Sequence, residues 1–340
     1  MNVRARGVMA ANHGLITRAQ ALDCGLDAAE IRRCLRSGEL VLVCRGVYAH
    51  GAAWADLDDY VERPRLRTRA AIRTMTRGWV VSHDSAAHEH GLPILTPADP
   101  YVHVTRPGTT GAWTKNGVKH HLARFTEDQV VHLGDLKVLD LARTAVDVAR
   151  EHGSPYGEIA CDAALRCGVS RAALEAAVAP MTCWPHVRRA REAINFADPR
   201  AASALETMGR LLVAELQLGP IDLQFPARLE DGRVVWGDIR VGRHLFECDG
   251  KTKFTPVEDG GVAEKSPTEV VWAEKKRERL LHRVGLGTSR ILFEDYWSPQ
   301  REAALVRMKA EYDETVARFG DQLPEHLVRN ARELRGGRAG

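Results

Sequence analysis

The 340-residue sequence has no apolar run approaching the roughly 18 to 20 residues that cross a bilayer. No membrane partner is expected, and the start MNVRARGVMAANHG lacks the apolar core of a signal peptide, which points to the cytoplasm. The seven cysteines (Cys24, Cys34, Cys44, Cys161, Cys167, Cys183, Cys248) are odd in number and form no C-x-x-C pair. A disulfide framework and a zinc ribbon are thereby excluded, and the thiols are expected to be reduced and mostly buried. Charge of one sign is also missing: the net +3 is too small to name a partner. With 44% apolar and 27% charged residues, neither global disorder nor a fibrous class is supported. The length suits two or three domains at about 100 to 200 residues each.

The charge that is present is unevenly placed. Residues 1–80 hold 13 Lys plus Arg against 8 Asp plus Glu, a local excess of 13 − 8 = +5. Thr17 is placed to cap a helix over RAQALDCG that Gly25 stops, and Asp27 to cap a second over AAEIRRCLRSG that Gly38 stops. LVLVCRGVYAH then reads as a hairpin turning at Arg45-Gly46. Two short helices followed by a β-ribbon outline a winged helix-turn-helix, in which the second helix enters the major groove and the ribbon touches phosphate. The G-x-I-T start, the I-R-R and L-x-x-G-x-L of the second helix and the closing R-G-V-Y resemble the N-terminal domain of the AbiEi antitoxins and autorepressors. That resemblance implies DNA as a partner, with Arg32, Arg33 and Arg36 facing it and Arg45 reaching a phosphate. It leaves a cognate toxin or a homodimer open. The plain alternative is that these arginines solvate an exposed helix face.

Six further arginines (Arg63, Arg65, Arg67, Arg69, Arg73, Arg77) are spaced first by two and then by four. This reads as an extended arm leading into a helix, either following a phosphate backbone or serving as a solvated linker. Segments between residues 79 and 150 resemble the middle domain of AbiEi-like proteins from high-GC Gram-positive bacteria, a match that brings no chemistry. His83, His88 and His90 invite a metal reading, but no established ligand spacing accompanies them, and packing or capping is the expected role. Residues 155–195 read as further helices.

Residues 200–297 carry the sharpest pattern: helix 204–217, strand 221–228, a turn at Asp231-Gly232, strands 233–240 and 243–249, helix 268–285 and strand 288–294. Phosphodiester hydrolysis needs carboxylates that hold Mg²⁺ and a lysine that stabilises developing charge. Strand alternation puts Glu247, Asp249, Lys251 and Lys253 on one face if the strand runs that far, with Asp238 on the neighbouring strand and Glu206 on the first helix. The S-x-x-E helix start with Arg210, the Gln224 and Asp238 strands, the E-x-D-G at Glu247 to Gly250, Lys253 and the E-K-x-R helix resemble Vsr-like endonuclease domains of the PD-(D/E)XK superfamily, over about 100 residues.

By that resemblance Glu206, Asp238, Glu247, Asp249 and Lys251 or Lys253 are catalytic candidates, and Asp238 and Glu247 the ligands of a Mg²⁺ or Mn²⁺ cofactor. The strict pattern puts lysine two after the glutamate, where this chain has Asp249. Ser203-x-x-Glu206 also reads as a capping box. Gly250-Lys251-Thr252 only mimics a phosphate-binding loop, because Leu245 stands where the first glycine belongs, so no nucleotide cofactor is expected. On the 268–285 helix, Lys275, Lys276, Arg279 and Arg283 suit either pairing with Glu274 and Glu278 or a DNA channel.

The expected fold class is a multidomain mixture of α+β and α/β. It comprises a winged helix-turn-helix at 1–52, a mixed middle domain at 53–200, a restriction-endonuclease-like mixed sheet flanked by helices at 201–300, and a C-terminal helix and tail at 301–340. The function expected is DNA binding with metal-dependent phosphodiester hydrolysis. The alternative is a non-enzymatic AbiEi-like antitoxin or repressor with an inactive nuclease-like domain.

Overall fold

The first helix-turn-helix forms because its ends are chemically marked. In this computed structural model, which describes residues 1–75, 78–108, 111–249 and 267–336 (backbone only at 267–271, 273 and 274), α1 (Val3–Ala10) and β1 (Leu15–Thr17) precede α2 (Arg18–Asp23) and α3 (Ala28–Arg36). The Thr17 hydroxyl accepts from Gln20 N at 3.2 Å while the Gln20 side chain accepts from Thr17 N at 2.9 Å. Asp27 and Glu30 repeat this reciprocal cap at 2.7 and 2.9 Å. Each cap satisfies N–H groups that a helix start leaves open, worth about 1 kcal/mol. The helices stop at Gly25 and Gly38, whose φ of +87° and +75° suit glycine. Ile31 and Cys34 turn inward against Met9, Leu40 and Tyr48.

The ribbon follows as β2 (Leu40–Cys44) and β3 (Val47–His50), with β1 completing a sheet of order β1-β3-β2. Alternation gives this sheet two apolar faces. Ile16 and Tyr48 join the helix-turn-helix core, while Leu15, Val47 and Ala49 pack against Trp54, Leu66 and Ala70. Those last three belong to α4 (Gly51–Ala55) and α5 (Glu62–Ile72). The expected extended arm is therefore helical from Glu62, and its arginines turn toward protein partners. Arg77 lies outside the described residues.

Next come β4 (Val80–Val81), α6 (His83–His90), β5 (Val102–Arg106), β6 (Gly111–Lys115), β7 (Val118–Leu122), β8 (Val130–Leu133) and β9 (Leu136–Leu139). They build a mixed six-stranded sheet of order β6-β7-β5-β4-β9-β8. The helices α7 (Leu141–His152), α8 (Tyr156–Arg166), α9 (Arg171–Val178) and α10 (Val187–Phe196) close a core rich in alanine, including Ala145, Ala149, Ala160 and Ala193, so helix axes approach closely. Residues Met1–Ala197 form one compact unit and Asp198–Gly340 a second.

The second unit runs α11 (Ala204–Glu215), β10 (Ile221–Arg228), β11 (Val234–Val241), β12 (His244–Cys248), α12 (Pro267–Arg283), β13 (Gly287–Ile291), α13 (Gln300–Phe319) and α14 (Glu325–Gly336). The sheet order is β10-β11-β12-β13; the first three strands are antiparallel and β13 is parallel to β12. Leu212, Ile239, Phe246 and Met308 fill one core, and Phe225, Leu245, Leu281 and Leu327 another. At Gly209 on α11 an added Cβ would stand 2.8 Å from Cys248 Sγ. Glycine is what lets this helix lie against the strands. Strand β12 ends at Cys248, one residue short of Asp249, and Phe293–Tyr296 is a short 3-10 turn where strand was expected. None of the described helices is long and apolar enough to cross a membrane.

Candidate DNA-binding face and carboxylate cluster

Because Ile31 and Cys34 fix the inner side of α3, helical periodicity turns Arg32, Arg33 and Arg36 outward, and all three are exposed. Arg33 pairs with Glu30 at 3.5 Å, between well-solvated side chains. Exposed pairs of this kind contribute about 0 to 1 kcal/mol, so the pair leaves the guanidinium available. Arg45, also exposed, sits at the ribbon turn, where Gly46 adopts φ +79°. Gly46 O accepts from Arg18 N at 2.8 Å, which ties the turn to the start of α2. Arg18 is exposed as well, a fifth cation beside the four expected ones.

The arginines of α5 and Arg73 at its C-cap behave differently. Arg63 pairs with Asp59 and donates from Nε to Trp54 O at 3.2 Å; its guanidinium and that of Arg67 lie 5.4 and 5.6 Å from the Trp54 ring centre. Arg65 Nε donates to His88 O at 2.6 Å, Arg69 pairs with Asp135 at 2.7 Å, and Arg73 donates to Asn12 at 2.7 Å.

In the second unit the predicted acids lie on neighbouring elements. Ile239 pairs with Phe246, so one step along the antiparallel ladder Asp238 stands across from Glu247. The Asp238 carboxylate accepts from Cys248 N at 2.8 Å, which holds it at the end of β12. Glu206 is 8% exposed and takes hydrogen bonds from Ala202 N at 2.9 Å, the Ser203 hydroxyl at 3.1 Å and Gln224 Nε2 at 2.9 Å. Burial pushes its carboxyl above the usual value and the charge of Asp238 adds to this, against the opposing pull of those hydrogen bonds. Glu206 thus serves the helix start, as a cap would, and also feels Asp238.

Two arginines pair with these acids: Arg277, the arginine of the E-K-x-R string, and Arg290, which the sequence did not single out. Arg277 on α12 donates to Glu247 at 3.0 Å, and Arg290 on β13 to Asp249 at 3.1 Å. Their positions follow from pairing across 30 and 41 residues, a separation no local spacing encodes. Among the described residues, Asp249 Oδ1 is buried without a hydrogen-bond partner. A buried carboxylate oxygen is donor chemistry that a hard divalent cation such as Mg²⁺ or Mn²⁺ takes, but among the described residues no three of Glu206, Asp238, Glu247 and Asp249 bring their carboxylate oxygens within 4.8 Å of one another. Glu247, Arg277, Ser289, Arg290, Arg307 and Glu311 line a cavity of about 240 Å³ next to it. Lys251 and Lys253, and the Gly250-Lys251-Thr252 string, lie outside the described residues. On α12, Lys275, Lys276 and Arg279 are exposed, and Arg283 pairs with Glu230 at 3.5 Å.

The histidines sort otherwise than their sequence spacing suggests. His90 bonds Leu139 O at 2.7 Å and His88 lies away at a cavity wall, while His83 stacks on His103 and His121.

Comparison with known proteins bears on the N-terminal unit first. Residues 9–49 match a family described as a transcriptional regulator, AbiEi antitoxin. Two curated relatives, the uncharacterized proteins MT2308 and Rv2248 from two strains of Mycobacterium tuberculosis, are each 30% identical over 220 residues, covering 61% of this chain and 73% of theirs. The N-terminal segment is thus similar to the AbiEi-antitoxin transcriptional regulators, and the chain belongs to the family of these mycobacterial proteins.

Proposed function

We propose that the protein is a DNA-binding regulator whose α3 enters the major groove while the Arg45 turn rests on a phosphate. The observation that carries this reading is the outward row of Arg32, Arg33 and Arg36 on a helix held from beneath by Ile31 and Cys34. Exposed guanidinium groups suit phosphate and guanine alike, because their fork of donors matches paired acceptors. A salt titration of duplex binding tests it. Affinity should fall linearly in a log–log plot, by about 0.9 for each phosphate contact; binding that ignores salt removes DNA as the ligand.

A second reading concerns the Asp198–Gly340 unit. Its helix, three-stranded meander, helix and parallel strand follow the order of a PD-(D/E)XK nuclease core, with Asp238 within β11 standing across from Glu247 on β12 and Asp249 just past the end of β12. We infer from the orphaned Asp249 Oδ1 that these acids hold Mg²⁺ or Mn²⁺, with Asp238 and Glu247 as its principal ligands. When bound, such an ion supplies an activated water and neutralises phosphate charge. Glu206, its carboxyl raised by burial, is suited to hold a proton near Asp238. Arg277 keeps Glu247 fixed and is itself within reach of a phosphate at the cavity.

Cleavage is tested on duplex, mismatched, branched and single-stranded DNA with Mg²⁺ or Mn²⁺. Asp238→Ala and Glu247→Ala should abolish it and spare binding. If wild-type protein cuts none of these substrates, the hydrolytic reading fails and the regulatory one stands alone.

A further inference from the structure

The first unit contains a second cluster of metal-competent side chains, unrelated to the carboxylates. His83 at the start of α6, His103 on β5 and His121 on β7 are all buried, and each offers a ligand atom within 4.8 Å of the others. The sequence separates them by about twenty residues each, so no ligand motif appears along the chain. Pairing of β5 with β7 and the packing of α6 on β5 assemble them. We infer that His83, His103 and His121 form a binding site for a transition-metal dication of the zinc class.

Three features argue for it. The first is nitrogen geometry. His103 Nδ1 and His121 Nε2 face each other at 3.0 Å. Two nitrogens bound at about 2.0 to 2.1 Å to one tetrahedral ion stand roughly 3.3 Å apart, so a small separation of the two rings admits the ion. Without it the pair shares one proton. The second feature is orientation of the far nitrogens. His103 Nε2 points at Asp84 Oδ2 at 3.6 Å, and His83 Nδ1 bonds the Ser82 hydroxyl at 2.9 Å. Metal-bound imidazoles are commonly held by such a carboxylate or hydroxyl on the nitrogen facing away from the metal, which sets the tautomer and raises ligand basicity. Here both partners are in place, and Asp84 is itself held by His152 Nε2 at 2.9 Å.

The third feature is countercharge. The buried Asp84 carboxylate, 3.6 Å from His103 and 2.9 Å from His152, supplies negative charge beside the cluster for a dication. Asp84 and Val102, next in sequence to His83 and His103, line a cavity of about 310 Å³.

The donor set selects the metal. Three imidazoles without thiolate or direct carboxylate favour Zn²⁺, Co²⁺, Ni²⁺ or Cu²⁺ over Mg²⁺ and Ca²⁺. Three protein ligands leave the fourth tetrahedral position for water. The ion would join α6 to β5 and β7. His83 and His121 now stack with centroids 3.8 Å apart and planes 15° from parallel. Because each lone pair lies in its ring plane, binding tilts these rings out of the stack, a change that is directly observable.

The untagged full chain, stripped by a chelator, is titrated with Co²⁺ and then Zn²⁺. We expect about one ion per chain, visible absorption typical of low-coordinate cobalt that Zn²⁺ bleaches, and no competition from Mg²⁺. A higher melting temperature with Zn²⁺ follows from mass action. His103→Ala and His121→Ala should lose the cobalt band. Asp84→Asn should keep the band but weaken binding by about 10- to 100-fold, whereas His90→Ala should leave it unchanged. The wild-type titration is decisive even where a variant fails to fold. If folded wild-type protein takes up neither ion in stoichiometric amount, or if a folded variant lacking all three rings binds as well as wild type, the site is overturned.

Discussion

Helices α3 and α5 are both arginine-rich, both border the same small sheet, and use their cations in opposite ways. On α3, Arg32, Arg33 and Arg36 project into solvent. On α5 and the residue that caps its C-terminus, Arg63, Arg65, Arg69 and Arg73 each terminate on a protein oxygen. Arginine count therefore says little about nucleic-acid binding; what separates the helices is whether oxygen acceptors surround them once folded. Arg143 on α7 extends the series to full burial, bonding Asp147 at 2.8 Å with both side chains almost inaccessible.

This series predicts effects that change in kind with depth. Arg143→Ala should be the most damaging, because it leaves the buried Asp147 with Arg150 as its remaining guanidinium partner and takes the donor from Arg124 O; about 3 kcal/mol should disappear from the urea unfolding free energy. A loss under about 1 kcal/mol would show that burial is not what distinguishes it. The combined Arg32→Ala, Arg33→Ala and Arg36→Ala variant should unfold like wild type yet bind duplex about 10- to 100-fold more weakly, with its salt slope reduced by about 3. An unchanged slope would take these residues out of the interface.

Depth governs histidine in the same manner. His244, bonded to Thr315 and Ser289 at 2.7 Å each, is held down to about 4, first by burial and then by His282. Its folded form resists protonation while the unfolded chain takes the proton near 6.5, so stability is full above that value and declines as pH falls toward 4. At pH 5 the loss attributable to this group is about 2 kcal/mol. His244→Gln should flatten the pH dependence of the urea midpoint between 7 and 5; an equally steep profile assigns the effect elsewhere. Arg65→Ala is the mildest change, removing one bond to His88 O at about 1 kcal/mol with DNA affinity intact. Weakened DNA binding in that variant would erase the contrast between the two helices.

Local chemistry explains which parts were readable beforehand. Thr17 and Asp27 announce their caps, Gly25 and Gly38 their stops, and Arg45-Gly46 its turn, because each acts through neighbours within about four residues. The order of elements from Ala204 to Ile291 was readable for the same reason, apart from the end of β12 and the 3-10 turn at Phe293–Tyr296. The arginine spacing of 63–69 misled: alternation suggested extension, but Leu66 and Ala70 pack on the sheet and impose a helix. Arg290, His103 and His121 escaped notice, and Arg277 was visible in the E-K-x-R string without its partner Glu247, because partners arrive through strand pairing and helix packing, which the chain does not write as a motif.

Helix α5 places three consecutive residues in three different cores: Ala70 beneath the ribbon sheet, Ala71 with Val102, Val104 and Val118, and Ile72 beside Val81 and Val138. It is a party wall, and no cut leaves the rooms on both sides roofed. A fragment ending at residue 52 would bare Leu15, Val47 and Ala49 to water, so the smallest independently soluble reader of DNA must run past Ile72 and take part of the six-stranded sheet with it.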